Sequence, residues 1–174
     1  MTKKGIIILG SSRSNGNTRK IVDAINKDFH FEVINLLDKN ISYYDYEHKN
    51  QEDDFYDIAK KIIATDVVIF ATPMYWYSMS APLKTFFDRL SDLVRIRKQM
   101  GRGLKNKHIM VVSCGSEALD FDFYIPFRKS ANYLDMIYSG DMHAWMEKDG
   151  VIPLPVKKEM LLFTKKLHAL LHAN

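Results

Sequence analysis

The chain has 174 residues, 47% of them hydrophobic and 26% charged, with a net charge of +4 and one cysteine. That length suits a single domain with one buried core, and the lone Cys114 excludes internal disulfides and any cysteine-held cluster within one chain. No apolar run reaches membrane-spanning length, and a mildly basic balance fits an anionic ligand while giving little support to nucleic acid. Met1-Thr2-Lys3-Lys4 leads straight into a strand and not into a signal peptide, so a cytoplasmic protein without nucleic-acid or membrane partners is expected.

Four consecutive apolar residues, Ile6 to Leu9, open the chain and run into Gly10-Ser11-Ser12-Arg13-Ser14-Asn15-Gly16-Asn17-Thr18. From Thr18 onward Ile21, Val22, Ile25 and Phe29 share one helical face, which predicts a buried strand, a tight loop and a helix. Such a loop meets unpaired N–H groups and the positive end of the helix dipole. Ser11, Ser12, Ser14, Asn15, Asn17 and Thr18 add short donors, and Arg13 adds a planar cationic fork. The set predicts a phosphate monoester as ligand. A plain turn that caps the helix is the other reading, but a capping box has no use for Arg13. A triphosphate loop would need lysine at Asn17 and four residues, not five, between Gly10 and Gly16, and a dinucleotide fingerprint would need glycine at Ser12.

Phe31 to Leu36 reads as the second strand, and 38–54, which contains Tyr43-Tyr44-Asp45-Tyr46-Glu47-His48, has no period and reads as a long loop. Asp53 or Asp54 is placed to cap a helix whose apolar face is Phe55, Ile58, Ala59, Ile62 and Ile63. Asp66 to Ala71 holds the continuous run of a central parallel strand, and 72–78 reads as a loop. Ser80 is expected to cap a helix with Pro82 in its first turn and Leu83, Phe86, Phe87, Leu90 and Val94 on one face. After a polar connection over 101–107, His108 to Ser113 forms the fourth strand, Pro126 opens a helix reaching about Asp135, Ile137 to His143 forms the fifth strand, and Val156, Met160, Phe163, Leu167, Leu170 and Leu171 line a closing helix.

Five alternations of strand and helix predict a parallel sheet covered on both faces, with ligands bound beyond the carboxyl ends of its strands. Three loops follow strands there: 10–18, 72–78 and 113–117. The second carries Met74, Tyr75, Trp76 and Tyr77 behind Pro73, and its aromatics suit either a flat ring or a subunit contact. The third offers Gly115 for close backbone approach, between Ser113 and Ser116 and ahead of Glu117. A phosphate cradle with two ring-binding loops describes a mononucleotide with a planar head.

Gly10 to Thr18 resembles the FMN phosphate loop of the NADPH-dependent FMN reductase family, and Thr72 to Arg89 is similar to that family's isoalloxazine-binding segment and following helix. Ser113-Cys114-Gly115 stands where the family has its third flavin loop, and the likeness runs from about position 5 to 143. The resemblance implies a flavodoxin-like three-layer α/β/α sandwich whose five parallel strands take the order 2-1-3-4-5. It implies FMN, with the phosphate on Ser11, Arg13, Asn15, Gly16, Asn17 and Thr18 and the ring on Pro73, Met74, Tyr75 and Trp76; a loop that closes around a terminal phosphate leaves little room for an adenylate extension, so FMN and not FAD is expected. It implies a homodimer or homotetramer. It also implies hydride passed from NADPH or NADH through the flavin to a small acceptor: a quinone, a nitro or azo compound, or free flavin. The related iron–sulfur flavoproteins place a cysteine cluster after the second strand; Tyr43 to His48 has none and reads as an aromatic flap or a solvated loop. Cys114 reads as a packed thiol. The tyrosine phosphatase pattern fails at Asp120, the six histidines lack metal spacing, and the basic run from Arg95 to Lys107 reads as a solvated helix end. The alternative function is a flavodoxin-type electron carrier with protein partners, which the positive net charge disfavours.

Overall fold

A computed structural model describes residues 3–116 and 121–173; Met1, Thr2, Glu117 and Asp120 lie outside the described residues. The strands are β1 (Gly5–Leu9), β2 (Glu32–Asn35), β3 (Val67–Tyr75), β4 (Ser78–Met79), β5 (His108–Cys114) and β6 (Ile137–Ala144). The helices are α1 (Asn17–Asn26), α2 (Phe55–Ile63), α3 (Ala81–Arg95), α4 (Lys98–Arg102), α5 (Ile125–Tyr133) and α6 (Leu154–His172). The parallel strands lie in the order β2-β1-β3-β5-β6, and the two-residue β4 pairs antiparallel with the end of β3. Leaving β4 aside, this is the expected flavodoxin-like order.

The apolar runs are continuous because the central strands are covered on both faces. Alternation sorts them: Ile6, Ile8, Val68, Phe70, Ile109 and Val111 pack with α2, α3 and α5. Ile7, Leu9, Val67, Ile69, Met110 and Val112 pack with α1 and α6. Each fully buried Ile or Val contributes about 1.5–3 kcal/mol. Among the described residues no helix is long and apolar enough to cross a membrane.

Three local expectations are corrected. Helix α1 does not extend to Phe29, although Phe29 packs against the same cluster as Ile21, Val22 and Ile25, because the Asn26 side chain accepts from the Phe31 N–H at 2.8 Å and donates to its carbonyl at 2.9 Å, closing the helix and starting β2. The stretch from Thr72 to Tyr75 is not loop but strand, because Met74 and Tyr75 pair with Met79 and Ser78. The polar connection begins with the short helix α4.

Candidate functional site

Leu9 pairs with Ala71 and Cys114 with Pro73, so the parallel register sets the carboxyl ends of β1 and β5 on either side of the last residues of β3. The loop after β1 is fixed at its root: Gly10 N–H donates to the Ala71 carbonyl at 2.8 Å. A Cβ on Gly10 would stand 2.5 Å from Leu83 Cβ, so only glycine lets α3 pack against this loop. Beyond it Ser12, Arg13, Asn15 and Asn17 are exposed, Ser14 and Gly16 half-buried, and Ser11 and Thr18 buried. Ser11 Oγ accepts from the Arg13 N–H at 3.3 Å, and Ser14 Oγ accepts from Asn35 at 3.0 Å. The Thr18 hydroxyl hydrogen-bonds the Cys114 thiol. Helix α1 has Gly16 at its N-cap with no side-chain cap and no acid in its first turn. Its first N–H groups, on Asn17, Thr18 and Arg19, have no acceptor among the described residues. They form a concentrated set of donors on an exposed rim.

The second loop is a two-residue hairpin. Trp76 and Tyr77 link β3 to β4 with φ of +48° and +61°. Such a turn is the home of Asn-Gly. Two bulky aromatics there cost about 1–2 kcal/mol each, yet Trp76 is 94% exposed and recovers none of this by burial. Behind the hairpin, Ser80 N–H donates to Thr72 Oγ1 at 3.1 Å and Ser80 Oγ donates to the Gly10 carbonyl at 2.6 Å. Ser80 stands at the N-cap of α3, as expected, but its hydroxyl makes no cap bond and instead ties the first loop to the second.

The third loop is held by groups that sequence spacing did not single out. Gly115 N–H donates to the Ala144 carbonyl at 3.0 Å, and a Cβ on Gly115 would meet Met74 at 3.2 Å and His143 at 3.4 Å. The Ser113 hydroxyl, expected at the ligand, is fully buried and lies 2.8 Å from both Tyr124 Oη and His143 Nδ1. Cys114 is buried as expected for a packed thiol; burial pushes its pKa up against the Thr18 hydrogen bond, which disfavours a thiolate.

A second buried polar centre lies under the 38–54 loop. Arg89 on α3 is fully buried and donates to Asp92 Oδ2 at 2.7 Å, to Asp53 Oδ2, to the Ser42 carbonyl at 3.2 Å and to the Asn50 carbonyl. His48 Nδ1 donates to Asp92 Oδ1 at 2.7 Å, and the guanidinium stacks 4.8 Å from the Phe55 ring centroid. The available signal was an (i, i+3) Arg-Asp pair on the same stripe of α3 as Phe86 and Leu93. Tyr43 and Tyr46 in this loop are exposed.

A doubly wound parallel sheet that gathers an uncapped helix N-terminus and an aromatic hairpin at the ends of adjacent strands defines the flavodoxin-like class of mononucleotide-binding proteins. The sequence profile of the NADPH-dependent FMN reductases matches residues 4–149, and the chain belongs to that family. It is similar to YwqN of Bacillus subtilis, named as an NAD(P)H-dependent FMN-containing oxidoreductase, at 36% identity over 51% of this chain and 52% of the relative. An iron-sulfur flavoprotein of Archaeoglobus fulgidus is 32% identical over 50% of this chain and 45% of its own length. The matches thus span about half the length of these relatives. A solved Trp repressor binding protein from Bacillus subtilis superposes with a TM-score of 0.75 at 25% identity, over 94% of this chain and 97% of that one.

Proposed function

We propose that the protein is an FMN-dependent NAD(P)H oxidoreductase whose acceptor is a quinone, a nitro or azo compound, or free flavin. The observation that carries this reading is the bridge at Ser80, which makes the anion loop and the aromatic hairpin one rigid unit at the sheet edge. The residues present fit FMN. The unpaired N–H groups of α1, with Arg13, Asn15 and Asn17 exposed beside them, suit a terminal phosphate. Ser11 and Thr18 shape that loop from its buried side. Pro73, Met74, Tyr75 and Trp76 would hold the flat ring, with Gly115 letting the third loop close against Met74 and His143 behind them. Bound FMN supplies the hydride chemistry, with NADPH or NADH as donor. The chain's own task is to fix the phosphate, back one side of the ring and leave the other open to flat reactants; no side chain need act as acid or base. A homodimer or homotetramer that covers the exposed Trp76 and Tyr77 belongs to the same proposal, and sedimentation measures it. Fluorescence titration of apoprotein with FMN, FAD and riboflavin tests the assignment. FMN should bind at least tenfold more tightly than riboflavin, because only FMN brings charge-assisted phosphate hydrogen bonds of about 1.5–3 kcal/mol each. Equal affinities, or a preference for FAD, would refute it.

A further inference from the structure

The last parallel strand carries an irregularity that decides where His143 points. Tyr138 opposes Ile109 and Gly140 opposes Met110, so Ser139 is an extra residue in β6. Gly140 absorbs the bulge with φ of +142°, a value that favours glycine. One inserted residue sends every later side chain to the opposite face. Tyr138 packs on the side of α2, α3 and α5, whereas Met142 and Ala144 pack on the side of α1 and α6. His143 therefore turns toward the α5 side, where Tyr124 lies. Without the bulge it would face α1 and α6.

There it enters a directed chain of hydrogen bonds. His143 Nε2 lies 2.7 Å from the Ser116 carbonyl, which only accepts, so Nε2 carries the proton. Burial pushes the imidazole pKa below its ordinary value, against the Ser116 hydrogen bond that works the other way, and this leaves Nδ1 bare at neutral pH. Ser113 Oγ has two acceptors within reach, Nδ1 at 2.8 Å and the Met142 carbonyl at 3.3 Å; with Nδ1 bare it donates to the nearer one, and Tyr124, kept protonated by burial, donates to Ser113 Oγ. The Ser116 carbonyl and the Gly115 N–H are thus both committed to β6. The Ser116 N–H, which has no partner among the described residues, remains as the backbone donor this loop offers to a ligand.

We infer that His143 is a positioning residue of the cofactor site: through one fixed tautomer it sets the backbone of 114–116 so that the Ser116 N–H is presented to the ring. This rests on the reading of the sheet edge as an FMN site. Glutamine places an N–H where Nε2 stands; asparagine reaches the Nδ1 position only; leucine supplies neither. FMN dissociation constants of folded His143→Gln, His143→Asn and His143→Leu proteins, each verified by circular dichroism, test the claim. The Gln protein should stay near wild type. The Asn and Leu proteins should bind FMN about three- to tenfold more weakly, the worth of one neutral hydrogen bond. Nitrogen NMR of the labelled apoprotein at neutral pH should show His143 protonated at Nε2 and bare at Nδ1. Unchanged affinity in the Asn and Leu proteins, equal loss in all three, or a proton on Nδ1 would overturn the inference alone. Wild-type protein that takes up no FMN would overturn the cofactor reading and this inference together.

Discussion

Arg13 is exposed on the rim of the first loop, beside three N–H groups of α1 that have no acceptor among the described residues. A guanidinium so placed adds charge-assisted hydrogen bonds to a phosphate at little structural cost. Arg13→Ala should weaken FMN by about 1.5–3 kcal/mol, roughly ten- to a hundredfold, and leave riboflavin affinity and thermal stability unchanged. A titration with both ligands checks this. Trp76 and Tyr77 pose the opposite balance: they strain the backbone and stay in solvent. Replacing them together by Asn and Gly, the pair this turn prefers, should stabilise the fold by about 1–2 kcal/mol, part of the two residues' combined cost, because Asn keeps its Cβ. The melting temperature should rise by about 2–8 °C at this chain length, while affinity for the flavin ring falls. A variant that is more stable and binds FMN as well as wild type would show that the aromatics have no part in the site.

At the scale of elements, the loop between β2 and α2 is fastened to α3 by the buried Arg89. Its carboxylate partners, Asp53 and Asp92, are nearly as buried, so Arg89→Met leaves two uncompensated charges. It should cost about 3–5 kcal/mol in urea denaturation. Arg89→Lys should recover only part of this, since an ammonium cannot replace the planar fork. Burial raises the Asp53 pKa, but the Arg89 hydrogen bond and the N–H groups of Ser42 and Phe55 outweigh it and hold the carboxyl below its ordinary value. The sign follows: the stabilisation is complete above the unfolded Asp value near ~3.9 and is lost as pH falls through the lower folded value. Asp53→Asn should therefore be less stable than wild type at neutral pH, and the gap should narrow on acidification below about pH 4. Of this centre only the Asp53-Asp54 pair at the start of α2 was legible in sequence: Asp54 takes the N-cap position without a side-chain bond, and the Phe55 N–H donates to Asp53 Oδ1 at 3.1 Å. The rest joins residues up to 47 positions apart, which no local period can show.

For the whole molecule, the architecture was readable because β1, β3 and β5 are buried on both faces and carry unbroken apolar runs. The hairpin was not, because Trp76-Tyr77 lacks the Asn or Gly that marks such a turn. Nor was the Ser113–His143 contact, which spans 30 positions and depends on a one-residue bulge. The donor-rich loop before α1 was legible because donors and helix start are contiguous; the aromatic loop after β3 and the glycine loop after β5 were legible by their place behind strands, and the proposal that they hold a flavin ring leans on likeness to a family. If the Tyr75–Trp76 hairpin backs one side of the ring, donor and acceptor share the open side. Each must come within about 3–3.5 Å of the reacting atom, so they alternate, and double-reciprocal plots should give parallel lines. Intersecting lines would refute that sharing. The most direct test of the central claim is the visible spectrum of protein reconstituted with FMN, followed without oxygen or acceptor as NADPH and then NADH are added. The account predicts a bound-flavin spectrum that one of the two nucleotides bleaches. Protein that binds no FMN would contradict it, and bound FMN that neither nucleotide bleaches would leave an electron carrier in place of an oxidoreductase.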